Sequence, residues 1–246
     1  SSIGSYSTAQ TGNAVAFKAA SATELVSDAS KNQGASGTQG GGTLTISTLA
    51  SQLADSASRA EARDKMLSRS ELADKANSLL DQILGDAYQA NKAKYNNEVP
   101  KTDDPELLAR AKQATEFVTS SDRGSRSVKN PFGSLSREQL SNIIYDDSGN
   151  YTINERRAAY YESDDREQAW RVKVAAQAMD EYNRTGKMTN FFSSVLDHFK
   201  ELPTIEQAQY PKDYASDLES KISRDFNYRT HQAEGKSENP MNLIEM

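Results

Sequence analysis

The feature that most constrains this chain is a helix–loop–helix signal that occurs twice between residues 134 and 202. Each copy has a glycine in a polar loop, Gly149 in the first and Gly186 in the second. In both copies an apolar residue follows two positions after the glycine, and a threonine follows three positions after it. The two glycines lie 37 residues apart, and repetition at a fixed spacing indicates a duplicated structural unit.

Helix signals flank both loops. Ser136-Arg-Glu-Gln139 and Thr152-Ile-Asn-Glu155 each fit the capping box, in which the first and fourth residues cap each other's backbone N–H groups. After a helix break expected at residues 163–165, apolar residues recur with the period of one buried helix face. They are Trp170, Val174, Ala178 and Met179 before the second loop, and Phe191, Phe192, Val195, Leu196 and Phe199 after it.

The first loop, residues 144–155, resembles the twelve-residue calcium loop of an EF-hand. With Gly149 as the sixth position, oxygen donors fall on the ligand positions of that family, and a hard cation is bound by such oxygens. Ile144 stands at the first position, where the family has an aspartate. The resemblance implies five candidate metal ligands, which are Asp146, Ser148, the carbonyl of Asn150, Thr152 and Glu155.

The second loop, residues 181–192, aligns on Gly186 but ends in Phe192, where an EF-hand has a chelating glutamate. Together the loops resemble a degenerate tandem EF-hand pair, with Ca²⁺ as a possible cofactor of the first loop. In such a pair Tyr151 and Met188 are expected to lie side by side. A simpler interpretation is that both glycines are left-handed residues after helices and that the following threonines are ordinary N-caps.

A groove is the second expectation that follows from the EF-hand resemblance. The four helices of such a pair leave an apolar groove that one amphipathic helix fills, either from the same chain or from a partner protein. The residues expected to line it are Ile143, Ile144, Trp170, Met179, Phe192 and Phe199.

The rest of the chain also has helical periodicity, which predicts an all-α fold. Residues 43–125 are expected to form an N-terminal helical segment, with a helix start at Asp104-Pro105. Residues 203–246 predict a C-terminal helix and a tail. The tail closes on Met241-Asn-Leu-Ile-Glu-Met246, whose apolar residues either dock on the fold or fray.

Residues 1–42 are rich in Ser, Ala, Gly and Gln, which predicts a flexible arm because so little apolar surface is available for burial. A polar, Ser/Thr-rich N-terminus resembles the export signals of bacterial type III secretion, and a plain linker has the same composition. The expected location is therefore the bacterial cytoplasm, or outside it after export without a cleaved signal peptide.

Composition narrows the possible partners. The net charge is −6 and the sequence pI about 5.1, so the long-range field disfavours nucleic acid. No cysteine is present, which removes disulfides and thiolate chemistry. No run of residues is apolar and long enough for a membrane-spanning helix. A protein is therefore the expected partner.

The sequence contains no catalytic constellation. The two histidines, His198 and His231, belong to no metal-binding or nucleophile pattern, and His198 lies beside Phe199 on an apolar helix, as a packed residue would. The favoured function is a non-enzymatic helical interaction protein or exported bacterial protein. The alternatives are a calcium sensor or calcium-stabilised protein that uses the first loop, and a secreted effector enzyme with an unrecognised active site.

Overall fold

The computed structural model describes residues 47–235, and it confirms the all-α fold. The predicted arm of residues 1–42 and the apolar end at residues 241–246 lie outside the described residues. Ten helices and one short hairpin are described within residues 47–235. They are α1 (Thr48–Met66), α2 (Arg69–Leu84), α3 (Asp86–Ala90), α4 (Lys92–Asn96), α5 (Pro105–Asp122), α6 (Arg137–Ile144), α7 (Ile153–Thr185), α8 (Thr189–Lys200), α9 (Thr204–Gln207), α10 (Tyr214–Arg224), β1 (Phe226–Asn227) and β2 (Gln232–Ala233).

Side-chain caps set the helix starts that the sequence predicts. Ser136 and Thr152 each form a complete capping box, at the starts of α6 and α7. Asp104 caps α5, whose first residue is a proline that lacks the N–H group a first turn cannot satisfy. Gly85 separates α2 from α3, because it is the C-cap of one helix and the N-cap of the next.

The expected helix break at residues 163–165 is wrong, because α7 runs unbroken for 33 residues. In the acidic segment Ser163 is fully buried against the fold, and Asp165 forms an exposed ion pair with Arg126 at 3.1 Å. Arg166 donates to the carbonyls of Leu135 and Gly133 and pairs with Glu162 one turn earlier. These contacts outweigh the low helix propensity of serine and aspartate.

The continuous helix also separates the two loops. At 1.5 Å of rise per residue, α7 is about 50 Å long, with the first loop before its start and the second after its end. The expectation that Tyr151 and Met188 lie side by side is therefore wrong. The EF-hand resemblance of the loops stays a prediction that depends on their sequence spacing.

The main hydrophobic core surrounds the first half of α7, which packs against α2, α5 and α6. Ile143 and Ile144 at the end of α6 are fully buried there, and Tyr151 of the first loop is 4 % exposed. The apolar face of α2 lies in the same core. Its buried residues are Leu72, Ala76, Leu79, Leu80 and Ile83.

Two buried arginines of α7 donate hydrogen bonds to backbone carbonyls of the neighbouring helices α6 and α2. Arg156 donates to the carbonyl oxygens of Ile144 and Leu79, both at 2.9 Å. Arg157 donates to the carbonyl of Ile83 and to the Asp122 carboxylate. The carbonyls of Ile144 and Ile83 lie at helix ends, which leave them without intrahelical partners, so the guanidinium groups satisfy them inside the core. Burial lowers the pKa of Arg156 to about 10, so this arginine remains charged at neutral pH.

The second half of α7 lies beyond this core and packs against α8, which in turn packs against α10. Gly186 adopts a φ of 76°, and this left-handed turn ends α7. Asp225 ties the far end of α10 to the start of α8, since its carboxylate accepts from Thr189 at 2.6 Å and from Lys187 at 2.8 Å. The strands β1 and β2 form an antiparallel hairpin beside this turn.

Candidate functional site

In the first loop, both charged candidate ligands pair with arginines. The Asp146 carboxylate accepts from Arg59 at 2.7 Å, and the Glu155 carboxylate accepts from Arg110 at 2.5 Å. Glu155 is fully buried, and Arg110 lies over the ring of Tyr151 at 5.1 Å from its centroid. Guanidinium groups from α1 and α5 therefore supply the positive charge that these two carboxylates face.

The remaining candidate ligands of the first loop make local hydrogen bonds. The Ser148 hydroxyl donates to Asp146, the Asn150 carbonyl accepts from Gln52, and the Thr152 hydroxyl caps α7. The loop lines a polar cavity of about 460 Å³ between α1 and α5. Within residues 47–235, no three acidic or histidine side chains are grouped so that they could hold a metal ion.

The second loop uses its first residue as a helix cap. The Glu181 carboxylate accepts from the backbone N–H groups of Asn190 and Phe191, at 2.8 and 2.9 Å. These groups lie in the first turn of α8, whose N-terminus attracts negative charge. Glu181 is 6 % exposed, so the loop is held by a buried carboxylate.

The expected groove residues lie in different parts of the molecule. Ile143 and Ile144 are sealed in the core, whereas Met179 is 68 % exposed on α7. Phe192 lies beneath the Lys221 ammonium, 5.4 Å from the ring centroid. Trp170 and Phe199 line one surface pocket together.

This pocket, named the aromatic pocket below, lies between α7, α8 and the start of α10 and has a volume of about 320 Å³. Most of its wall is aromatic or aliphatic. The lining residues are Glu167, Trp170, Arg171, Val174, Ala175, Phe191, Val195, His198, Phe199, Tyr210 and Tyr214.

Two sets of stacked rings form the walls of the aromatic pocket. Trp170 and His198 stack face to face, with centroids 3.6 Å apart and planes 5° apart. Phe199, Tyr210 and Tyr214 contact one another with centroids about 5 Å apart, in the tilted and edge-on arrangements that aromatic rings favour. Rings held this way form a preformed cavity for an apolar group.

A buried acid–histidine pair lies at the base of the aromatic pocket. The Nε2 atom of His198 lies 2.9 Å from a Glu167 oxygen, and the two residues are 5 % and 1 % exposed. Burial raises the pKa of Glu167 to about 9 and lowers the pKa of His198 to about 3. At neutral pH the carboxyl group therefore holds its proton and donates it to a neutral imidazole.

A second buried pair lies close to Glu167 at the base of the aromatic pocket. Arg137 of α6 pairs with Glu206 of α9 at 2.9 Å, and each side chain is 1 % exposed. Burial raises the pKa of Glu206 to about 7, against the opposing effect of Arg137. Arg171 lies nearer the solvent, with its Nε 3.7 Å from Glu167. Its buried Nη2 atom has no hydrogen-bond acceptor among residues 47–235.

No family model, curated protein or solved structure matches this chain. Within residues 47–235 no helix has both the length and the apolar character to cross a membrane.

Sequence reasoning identified the α8 side of the aromatic pocket but missed most of the remainder. Phe191, Val195 and Phe199 follow one another at helical spacing, and that period was the usable signal. Tyr210 and Tyr214 flank a proline-containing link between two helices, and nothing in their local pattern shows that they return to Phe199. His198 is packed, as expected, whereas His231 lies exposed in the hairpin turn with a φ of 58°.

Proposed function

We propose that this chain is a non-enzymatic helical interaction module that binds an amphipathic helix at the aromatic pocket. The observation that carries the proposal is a preformed, mainly apolar pocket that opens to solvent between two exposed helices. Helix recognition works by inserting apolar anchors, spaced one helical turn apart, into such a groove. The row Phe191, Val195 and Phe199 on α8 has the same spacing.

The surface next to the pocket supports the same mode of binding. Val172 and Met179 on the outer face of α7 are 73 % and 68 % exposed, and Tyr182 is exposed beyond them. Ala175, which lines the pocket, lies on α7 between Val172 and Met179. Contiguous exposed apolar residues of this size are typical of surfaces that another protein covers.

The titratable groups at the base of the pocket support a structural role rather than acid–base catalysis. A general acid or base works best when its pKa lies near the working pH. Burial moves the pKa of Glu167 well above neutrality and that of His198 well below it. The pair instead orients the imidazole ring that stacks on Trp170.

A fluorescence titration tests the proposal, because Trp170 is the single tryptophan of the chain and lines the pocket. The probe is a helical peptide of about 18 residues, long enough to hold a helix in the bound state, with leucines on one face and alternating Glu and Lys on the other. Its control replaces the leucines with alanine. We expect saturable binding of the leucine peptide only.

A matched pair of variants locates the binding. Ala175→Glu adds a charge at the pocket rim, whereas Ala62→Glu adds the same charge to an exposed position of α1. We expect Ala175→Glu to weaken binding about tenfold or more, since the charge must be desolvated, and Ala62→Glu to leave it unchanged. Equal affinity of both variants would refute the aromatic pocket as the binding site.

A further inference from the structure

We infer that residues 241–246 of this chain, Met-Asn-Leu-Ile-Glu-Met, occupy the aromatic pocket and compete with its partner helix. The inference rests on the proposed function, because it assigns a regulator to the same pocket. It is carried by where the described chain leaves the fold, by the chemistry of the segment, and by a partly exposed arginine at the pocket.

The described chain ends beside the Phe191 end of the pocket. The N–H groups of Glu234 and Gly235 donate to the carbonyls of Asp225 and Arg224, at 3.2 and 3.0 Å. The Asp225 carboxylate in turn accepts from Thr189, two residues before Phe191 in the first turn of α8. The segment that follows Gly235 therefore starts close to the mouth of the pocket.

The segment that connects Gly235 to Met241 is longer, when extended, than the α8 wall of the pocket. Six residues lead from Gly235 to Met241, and an extended chain of that length spans up to about 20 Å. The α8 wall from Phe191 to Phe199 is eight residues of helix, or about 12 Å. The connection is therefore long enough for Met241 and the residues after it to meet the α8 wall without a change in α10 or the hairpin.

The chemistry of the segment complements that of the pocket. Leu243 and Ile244 are branched aliphatic residues, and the methionines on either side of them are side chains that fill irregular apolar spaces. Glu245 follows immediately and carries a carboxylate. Arg171 lines the pocket with its side chain 27 % exposed, and a carboxylate is the acceptor that a guanidinium group binds best.

Attachment to the same chain makes this contact effective even if it is weak. A short tether gives the segment an effective concentration in the millimolar range at the pocket. A partner helix must then displace the segment before it binds. Loss of the segment's apolar residues should therefore strengthen partner binding and expose Trp170.

The test compares two double variants of the full chain. Leu243→Asp with Ile244→Asp removes the apolar pair, whereas Ser237→Asp with Asn239→Asp adds the same two charges nearer to Gly235. Both pairs lie outside the described residues 47–235, so neither replaces a side chain of the described fold. The measurements are acrylamide quenching of Trp170 and the affinity for the leucine peptide.

We expect the Leu243/Ile244 variant to raise the quenching constant at least about twofold and to bind the leucine peptide about tenfold more tightly, as release of a tethered competitor predicts. The Ser237/Asn239 variant should match the wild type. A synthetic peptide of residues 236–246, added to the Leu243/Ile244 variant, should restore the protection of Trp170.

Unchanged quenching and unchanged affinity in the Leu243/Ile244 variant would overturn the inference. If Ala175→Glu still weakened binding of the leucine peptide in that case, the proposed function would stand without its regulator. If the leucine peptide failed to bind every variant while quenching changed as expected, the segment would be the occupant and the proposed partner function would fall.

Discussion

Glu167 and His198 share a buried hydrogen bond of 2.9 Å, and Trp170 stacks on the same imidazole ring. The bond joins α7 to α8 at the base of the aromatic pocket, so the shape of the pocket depends on it. Because both groups are buried, their protonation states are tied to folding.

Glu167→Gln is expected to change the pH dependence of stability. The pKa of Glu167 rises from an ordinary value of 4.5 to about 9 on folding, so the folded state prefers the protonated form. The resulting stability is complete below pH 4.5 and is lost as the pH rises toward 9. Glutamine stays neutral and still donates a hydrogen bond, so the variant should gain on the wild type by up to about 1.4 kcal/mol per pH unit across that window.

Urea denaturation at several pH values between 5 and 9 measures this effect of Glu167→Gln. The difference in the free energy of unfolding between variant and wild type should widen as the pH rises. A difference that stays constant over the window would show that Glu167 is ionised in the folded protein.

His198→Gln should act at the opposite end of the pH scale. The pKa of His198 falls from 6.5 to about 3 on folding, so its contribution to stability is present above pH 6.5 and is lost as the pH falls toward 3. The variant lacks this titration and should lose less stability than the wild type between pH 6 and 4. Thermal melts of both proteins at pH 6 and pH 4 measure this difference. An equal fall in melting temperature in both proteins would contradict the lowered pKa of His198.

The pair formed by Arg110 and Glu155 should respond to single and double substitution in different ways. Arg110→Met leaves the buried Glu155 carboxylate without a counter-charge, which should cost about 3–5 kcal/mol of stability. Adding Glu155→Gln removes that charge and keeps the capping acceptor, so the double variant should recover much of the loss. The free energy of unfolding from urea titration measures both. Additive losses in the double variant would contradict a direct pair.

Calcium is expected to leave the melting temperature unchanged at millimolar concentration. A cation in the first loop would have to displace Arg59 from Asp146 and Arg110 from Glu155. The measurement is a thermal melt with and without Ca²⁺, with Mg²⁺ as the control. A calcium-specific rise in melting temperature that Glu155→Gln removes would contradict this expectation and favour the EF-hand interpretation of the loop.

The continuity of α7 predicts the effect of a proline at its middle. Asp165→Pro should destabilise the fold by about 3 kcal/mol or more, because proline removes a hydrogen bond and clashes with the preceding turn. Asp165→Ala is the control, and it loses only an exposed ion pair with Arg126. Chemical denaturation compares the two variants. A proline as harmless as the alanine would indicate a break at residues 163–165.

Local chemistry in the sequence was enough to predict the helix caps and the apolar faces. Ser136, Thr152 and Asp104 cap helices as predicted, because a cap depends on residues within one turn. The side-chain partners of the first loop could not be predicted in this way. Asp146 and Glu155 meet arginines that lie 87 and 45 residues away in the chain, and no local spacing reveals such partners.

The aromatic pocket was predictable only in part for a similar reason. The period of Phe191, Val195 and Phe199 predicts an apolar face on α8 but does not show what covers it. Its opposite walls come from α7, which runs unbroken past the pocket, and from the link before α10. The low helix propensity of Ser163, Asp164 and Asp165 predicts a break in α7, and tertiary contacts prevent that break.

The most direct test of the account follows the indole N–H signal of Trp170, the one such signal that the chain can give, in a ¹⁵N–¹H spectrum. Addition of the leucine peptide should move this signal saturably in the wild type and in Ala62→Glu, whereas Ala175→Glu should need about tenfold more peptide or more for the same shift. A signal that stays fixed in all three proteins, or moves equally in all three, would contradict binding at the aromatic pocket.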